Sequence, residues 1–168
     1  AALLDLAADP RALATLLAFL GLAAIAAGWF LPWVARMDVG GIGVSGSELT
    51  RLLVAKGADV RVLARDKAQA EAALGSKVQV MQGDLTRPES LSEAMKGVTK
   101  LFLVTPLHLD QVAMKSAAIQ AAKVAGVKHI VMSTGIGAAP DAGVEVGRWH
   151  GKSQEEVKAT GIPFTFLQ

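Results

Sequence analysis

With 168 residues, of which 52% are apolar and 19% are charged, the chain is long enough to bury the core of one domain. Its net charge of +2 comes from 17 basic and 15 acidic residues, a balance too even for a nucleic-acid partner, because phosphate binding needs clustered Lys and Arg. The absence of cysteine excludes disulfides, thiolate metal sites and a cysteine nucleophile.

The first feature along the chain is an apolar segment, residues 12–31, in which only Thr15 is polar. A helix of this length rises about 30 Å, the thickness of a bilayer core, and Trp29 and Trp33 fit its interfacial end. We therefore expect residues 1–36 to form a transmembrane helix that makes this a single-pass membrane protein with a cytoplasmic C-terminal domain. A secretory signal, a buried core helix and a fusion artefact are the alternatives.

A glycine-rich turn follows, in which Gly40, Gly43 and Gly46 are spaced three apart. Glycine lets the backbone turn tightly and approach a pyrophosphate, whose charge then lies on free N–H groups at a helix N-terminus. Three glycines alone are weak evidence, but a helix is predicted directly after them, over residues 47–56. The pattern therefore predicts a dinucleotide-binding turn.

The strand that should lead into this turn is poorly defined. A central parallel strand is buried on both faces, whereas residues 33–39 include Arg36 and Asp38. Because unpaired charges are costly to bury, two interpretations stay open. Either this segment is the first strand, or the glycine turn lacks its rigid support.

Beyond the turn, predicted strands and helices alternate, which indicates a parallel sheet covered by helices on both faces. The predicted strands are residues 60–64, 78–81, 101–105, 129–133 and 164–167, and the predicted helices are residues 47–56, 68–74, 90–96, 109–125 and 151–160. A glycine-rich loop is predicted over residues 135–147. The predicted fold class is α/β: an incomplete, Rossmann-like doubly wound sheet formed by residues 37–168, preceded by one transmembrane helix.

Arg65 stands at the end of a predicted strand, 19 residues beyond Gly46, where the ribose of a bound dinucleotide is recognised. An NAD site usually has an acidic residue there, whereas Arg65 with Lys67 nearby suits the 2′-phosphate of NADP. We therefore expect NADP rather than NAD as the cofactor. The alternative is that both residues are solvated charges at a strand end.

Several short motifs, taken together, are more specific than the glycines alone. They are the GxxGxxG turn with Ser47-Glu48-Leu49, Val62-Leu63-Ala64-Arg65-Asp66, Gln82-Gly83-Asp84-Leu85, Leu103-Val104-Thr105-Pro106, Val131-Met132-Ser133-Thr134, His150-Gly151-Lys152-Ser153 and Gly161-Ile162-Pro163-Phe164-Thr165-Phe166-Leu167. In this order and spacing the chain resembles the NmrA-like atypical short-chain dehydrogenases, in particular the small NAD(P)H-dependent quinone or azo oxidoreductases. The resemblance covers residues 40–168.

The resemblance implies a role for each matching position. It implies pyrophosphate binding by Gly40, Gly43 and Gly46, 2′-phosphate binding by Arg65, adenine contacts from Asp84 and Leu85, ribose contacts from Thr105 and Pro106, a nicotinamide pocket lined by Ser133, and a catalytic role for Lys152, which holds the nicotinamide ribose and supplies positive charge. Each position also has a structural explanation, as a turn residue, a strand terminator, a buried hydroxyl or an exposed helix residue.

Two departures from the family pattern limit the expected chemistry. Larger members of the superfamily use a Tyr-x-x-x-Lys pair, but the chain has no tyrosine, and Arg148 stands four residues before Lys152. Ketone reduction by that route is therefore not expected. The family also continues beyond the position of Gln168 into a region that closes the substrate pocket, so the sequence does not specify the substrate.

The expected function is NADPH binding with hydride transfer to a quinone-type acceptor. The alternative is a non-catalytic, membrane-anchored subunit of a larger assembly, bound to the membrane through residues 12–31, whose Rossmann-like part serves as a scaffold or redox sensor. His108 and His150 have no paired carboxylate or second His at ligand spacing, so no metal site is expected. A proton-donor role for His150 is the less favoured alternative to catalysis by Lys152.

Overall fold

The computed structural model describes residues 33–36 and 44–168, which belong to one compact unit. Two of the predicted pyrophosphate-binding residues, Gly40 and Gly43, lie outside the described residues. The same is true of the apolar segment 12–31, for which a transmembrane helix was predicted.

Six parallel strands form a single sheet in the described part of the chain. They are β1 (Trp33–Arg36), β2 (Val60–Ala64), β3 (Gln79–Gln82), β4 (Lys100–Leu103), β5 (His129–Ser133) and β6 (Phe164–Leu167). Their order across the sheet is β3-β2-β1-β4-β5-β6, the doubly wound Rossmann arrangement, in which the direction of winding reverses at β1. The predicted α/β Rossmann-like class is confirmed.

The central strand β1 is the segment that the sequence left in doubt. Ala35 pairs with Val62 of β2 on one side and with Phe102 of β4 on the other. Arg36 is the last described residue of the strand, and Asp38 lies outside the described residues. The sheet therefore begins four residues before the predicted domain boundary at residue 37, and in the sequence the glycine segment comes after its central strand.

Five α-helices and one short 3-10 helix lie between these strands in the described residues. They are α1 (Val44–Ala55), α2 (Lys67–Leu74), α3 (Leu91–Met95) with the 3-10 turn Pro88–Ser90 before it, α4 (Gln111–Ala125) and α5 (Glu145–Ala159). Asp66 caps α2 as predicted, accepting a hydrogen bond from the Gln69 N–H at 2.9 Å. Gly126 ends α4 with φ of 72°, a left-handed conformation that glycine adopts without strain.

One apolar cluster joins the sheet to the helices. Its buried members include Leu101 and Ile130 from the strands, Leu91 and Ile119 from α3 and α4, and Val157 from α5, each at most 2% exposed. Burying a side chain of this size contributes roughly 1.5–3 kcal/mol. This core holds the carboxyl ends of the strands at one edge, where open α/β sheets bind their ligands.

The localisation predicted from the sequence, a single-pass membrane protein, is corrected by the structure. No helix within residues 33–36 and 44–168 is long and apolar enough to cross a bilayer. The longest of them, α4 and α5, have 15 residues each, whereas a spanning helix needs about 20 apolar residues. The prediction of a membrane-spanning protein is therefore wrong for the described residues, 33–36 and 44–168.

Candidate functional site

Four of the predicted site residues lie at the carboxyl edge of the sheet. Arg65 directly follows β2, Asp84 comes two residues after β3, Thr105 comes two residues after β4, and Ser133 is the last residue of β5. Because the strands are parallel, these four positions share one edge. The switch point of a doubly wound sheet, where dinucleotides bind, lies at this same edge.

Gly46 is the one predicted pyrophosphate glycine within the described residues. It lies in the first turn of α1, and its carbonyl accepts a hydrogen bond from the Thr50 hydroxyl at 2.8 Å. Helix α1 thus begins within the glycine segment, and it is the first described element after the central strand. Free N–H groups and the helix dipole make such an N-terminus suited to a pyrophosphate.

A cleft of about 330 Å³ opens beside the ends of β2 and β3. The residues that line it are Arg65, Gln82, Gly83, Asp84, Arg87 and Ser90. Arg65 and Arg87 are both exposed, and two guanidinium groups can bind a phosphate through charge-assisted, bidentate hydrogen bonds. Arg87 was not predicted, because it lies in a loop that has no periodic pattern.

The two predicted adenine contacts have different surroundings. Asp84 lines the cleft, and its carboxylate accepts hydrogen bonds from the backbone N–H and the hydroxyl of Thr86, both at 2.9 Å. The Ser90 hydroxyl accepts the Asp84 N–H at 2.9 Å, which fixes the turn. Leu85 is 3% exposed and belongs to the apolar core. Its side chain therefore packs inside the domain, and Asp84 faces the cleft.

The third position at this edge is Thr105, two residues after β4, whose hydroxyl has no hydrogen-bond partner among the described residues. The Oγ1 atom of this hydroxyl is buried. Buried polar groups are nearly always paired, and an unpaired one reduces stability. A sugar hydroxyl of a bound dinucleotide would satisfy this atom, so Thr105 fits the predicted ribose contact, with the half-buried Pro106 beside it.

We expect Thr105→Val to stabilise the free protein by up to about 1 kcal/mol and to weaken NADPH binding by about fivefold. The substitution removes an unpaired hydroxyl at nearly constant volume, and it also removes a hydrogen bond to the cofactor. Urea denaturation and fluorescence titration measure the two effects. Thr160→Val is the matched control, because the Thr160 hydroxyl donates to the Val157 carbonyl at 2.6 Å. The control should destabilise the protein without affecting NADPH binding; a Thr105→Val protein that behaves in the same way would contradict the assignment.

A buried lysine lies beside Ser133, at the end of β5. Lys115, on α4, is 1% exposed, and its Nζ atom lies 2.9 Å from Nδ1 of His150 and 3.4 Å from the Ser133 carbonyl oxygen. Burial lowers the pKa of Lys115 to about 8. Burial, and then the charge of Lys115, lower the pKa of His150 to about 4.

These pKa values define the hydrogen bond at neutral pH. Lys115 is an ammonium that donates to a neutral imidazole, so Nδ1 of His150 accepts and the imidazole proton is on Nε2. That part of the ring faces Gly135 in the loop after β5, since a Cβ at Gly135 would lie 3.5 Å from Cδ2 and 3.9 Å from Nε2 of His150. The Lys115–His150 pair thus connects α4 and α5 at the cofactor edge.

Lys152, the predicted catalytic residue, follows His150 by two positions on α5 and is exposed. His150 is half-buried and directed toward α4, where it contacts Lys115. The inward-facing residue of the motif His150-Gly151-Lys152 is therefore the histidine. The role assigned to Lys152 stays a prediction.

The sequence analysis did not identify Lys115 as a candidate site residue, although the residue pattern of α4 indicates that it is buried. The buried residues of α4 are Gln111, Met114, Lys115, Ala118, Ile119 and Ala122. Their spacing is that of one helix face, so a lysine within this stripe must be buried. Lysine is almost never fully buried unless it is paired, which makes such a position a candidate functional site.

Lys115→Met is expected to raise the free energy of unfolding by about 1–2 kcal/mol at pH 7. The fall in pKa from 10.5 to about 8 corresponds to a penalty of roughly 3 kcal/mol for the buried charge, and loss of the bond to His150 offsets about 1 kcal/mol of the gain. Below pH 8 the buried lysine is fully charged, so the whole destabilisation is present. It disappears as the pH rises toward 10.5, the ordinary pKa of lysine. The difference between variant and wild type, measured by urea denaturation at pH 7 and pH 10, should therefore shrink at pH 10; a constant difference would contradict a buried ammonium.

Comparisons with known proteins agree with this geometry. A family model described as the NmrA-like family matches residues 38–168. The NAD(P)H azoreductase of Xenophilus azovorans is 52% identical over 130 residues, which cover 77% of this chain and 46% of that protein. The chain thus spans about half the length of the curated relatives it matches.

Two solved structures have a similar fold. The triphenylmethane reductase of Citrobacter sp., complexed with NADP(H), superposes with a TM-score of 0.69 at 28% identity, over 83% of this chain and 49% of that one. The NADPH-dependent quinone oxidoreductase of Escherichia coli, complexed with NADPH, has a TM-score of 0.69 at 22% identity, over 82% of this chain and 48% of that one. The second likeness shows the fold alone.

Proposed function

Because the chain belongs to the NmrA-like family, we propose that it is the cofactor-binding part of an NADPH-dependent reductase that acts on quinone-type or azo-type acceptors. The observation that carries this proposal is a set of groups suited to phosphate and ribose at one edge of the sheet. Arg65 and Arg87 lie in one cleft, and beyond it lies the Thr105 hydroxyl, which has no hydrogen-bond partner among the described residues. These groups follow β2, β3 and β4, the strands on either side of the switch point.

The cofactor prediction, NADP, is confirmed by the relatives, which include an NAD(P)H azoreductase and a reductase complexed with NADP(H). In the proposed binding mode, Arg65 and Arg87 hold the 2′-phosphate, and Asp84 lies at the adenosine end of the same cleft. The pyrophosphate lies at the N-terminus of α1, which contains Gly46. Thr105 then contacts the ribose on the nicotinamide side.

The surface beside the nicotinamide end suits an apolar acceptor. Leu107 and Leu109, in the loop after β4, are 62% and 79% exposed, and Ile136, in the loop after β5, is 89% exposed. Exposed apolar groups near a binding site favour planar, weakly polar ligands. Quinones and azo compounds are planar two-electron acceptors, and the name of one relative refers to azo reduction. When bound, NADPH supplies the hydride.

Two measurements on the purified chain test this function. Fluorescence titration should show saturable binding of NADPH, with NADH binding more weakly. The absorbance of NADPH should then decrease when a water-soluble quinone or an azo dye is added. Absence of saturable binding below about 1 mM would refute the cofactor assignment, and binding without acceptor-dependent oxidation would refute the reductase assignment.

A further inference from the structure

We propose that Lys115 and His150 form a proton relay that delivers the proton needed when the acceptor is reduced, with His150 as the catalytic residue and Lys115 as the positioning and proton-supplying residue. The inference rests on the proposed reductase function. Hydride transfer adds two electrons and one proton to a quinone or azo group, so a second proton must come from elsewhere. The tyrosine that donates it in larger dehydrogenases does not occur in this chain.

The position of the pair fits this role. Nζ of Lys115 lies between Nδ1 of His150 and the carbonyl of Ser133, the last residue of β5. The opposite side of the imidazole faces Gly135 in the loop that follows β5. The Nε2 side of the ring therefore lies beside the loop at the carboxyl edge of the sheet, where the nicotinamide end of the cofactor and the acceptor are expected.

The proton balance of the step is complete. The acceptor becomes a singly protonated anion when it takes the hydride, and Nε2–H of His150 gives its proton to that anion. A proton from the Lys115 ammonium replaces it on Nδ1, which leaves a neutral amine and the other imidazole tautomer. The product is the hydroquinone or hydrazine, and solvent later returns one proton to the pair. The relay as a whole has the acidity of Lys115, whose pKa of about 8 is close to neutral pH, as efficient acid catalysis requires.

The other charged groups around His150 are engaged elsewhere or exposed. Arg148, on the same helix, donates to the carbonyls of Ala142 and Gly143 at 2.9 and 3.2 Å. Lys152 and Asp141 are exposed. Among the described residues, Lys115 is the charged group that acts on the pKa of His150.

Nitrogen NMR of the imidazole tests the pair without cofactor or turnover. The wild-type chain should show the Nε2–H tautomer of His150 at pH 7, with titration well below pH 6.5. Lys115→Met removes the neighbouring charge and should raise the pKa of His150. Lys123→Met, a change of the same kind at an exposed position of α4, should leave it unchanged. An imidazolium at pH 7, or a His150 titration that Lys115→Met does not alter, would overturn the proposal.

Kinetics with NADPH and a water-soluble quinone test the relay itself. We expect His150→Phe and Lys115→Met to lower kcat at least 100-fold while the dissociation constant of NADPH changes less than about twofold. Wild-type kcat should fall above about pH 8, as Lys115 loses its proton, and Lys115→Met should lack this decrease. If both variants keep the wild-type kcat and pH profile, the relay is refuted and the reductase function stands. If the wild type binds NADPH but reduces no acceptor, the reductase function fails and the relay fails with it, whatever the NMR result.

Discussion

Arg65→Gln is expected to weaken NADPH binding by about 10- to 100-fold and to leave NADH binding within about twofold. Arg65 lies at the end of β2 in the cleft that it shares with Arg87. A charge-assisted hydrogen bond contributes roughly 1.5–3 kcal/mol, and each 1.4 kcal/mol is a factor of ten in affinity. NADH has no 2′-phosphate, so it loses none of this energy. Fluorescence titration with both cofactors at fixed ionic strength measures the ratio.

Two further variants separate a local contact from a general loss of positive charge. Arg51, on α1, is exposed and pairs with Glu48, so Arg51→Gln removes the same charge from outside the cleft and should leave both affinities unchanged. Arg87→Gln should reduce the preference for NADPH in the same direction as Arg65→Gln. Equal weakening of NADPH and NADH by Arg65→Gln would contradict a 2′-phosphate site.

The parts of the fold that the sequence predicted best are those determined by local pattern. Strands β2, β5 and β6 have the predicted bounds, residues 60–64, 129–133 and 164–167. Each is a short apolar or β-branched run between turn residues, and such a run is recognisable from the local sequence. The alternation of strands and helices predicts a parallel sheet, whereas the order β3-β2-β1-β4-β5-β6 is a finding of the structure.

The central strand β1 was harder to predict because charged residues occur at its described end and shortly after it in the sequence. Arg36 is the last described residue of the strand, and Asp38 lies outside the described residues. In the sequence, Arg36 and Asp38 both argued against a buried strand. A strand of only four residues between two partners is recognised by its pairing, which the sequence alone does not specify.

The Lys115–His150 pair depends on tertiary structure. The two residues are 35 positions apart on different helices, and each has an ordinary alternative explanation by itself. Their juxtaposition depends on the packing of α4 against α5, which hydrogen bonds from Ser116 and Gln120 to Glu156 also support, at 2.7 and 2.9 Å. The sequence motif around His150 pointed to Lys152, which is exposed. The contact between Lys115 and His150 forms only when the two helices pack together.

Helix α5 shows how glycine misled the prediction. The sequence predicted a loop over residues 135–147 and a helix from residue 151, since glycine is unfavourable within a helix. The structure begins α5 at Glu145 and includes Gly147 and Gly151 in it as buried residues. These glycines lie one turn apart against the preceding loop, and a Cβ on Gly151 would overlap the backbone of Ala139 and Pro140. The glycines therefore allow close packing between the loop and the helix.

Gly151→Ala is accordingly expected to lower the free energy of unfolding by about 2 kcal/mol or more, although alanine is the better helix former. The helix propensity of alanine contributes about 1 kcal/mol in favour of the variant. Overlap with a neighbouring backbone, which cannot rotate away as a side chain can, costs about 3 kcal/mol or more. The overlap is the larger effect, so the variant should unfold at a lower urea concentration.

Gly143→Ala is the control for this substitution, because Gly143 lies in the same loop–helix region and a Cβ there meets no atom within 4 Å. Its stability should stay within about 0.5 kcal/mol of the wild type. Gly147→Ala should lie between the two, since its Cβ would come close to two side chains, with the Ala142 Cβ at 2.8 Å and the Val144 side chain at 3.3 Å, and would make ordinary contact with the Gly137 carbonyl oxygen at 3.7 Å. In Gly151→Ala the new Cβ overlaps the backbone of Ala139 and Pro140, in the loop that also carries Gly135. We expect the variant to relieve this overlap by moving α5 and the loop apart. The imidazole signal of His150 should therefore shift in Gly151→Ala and not in Gly143→Ala, whereas equal stability of these two variants would show that the loop yields freely and does not position the histidine.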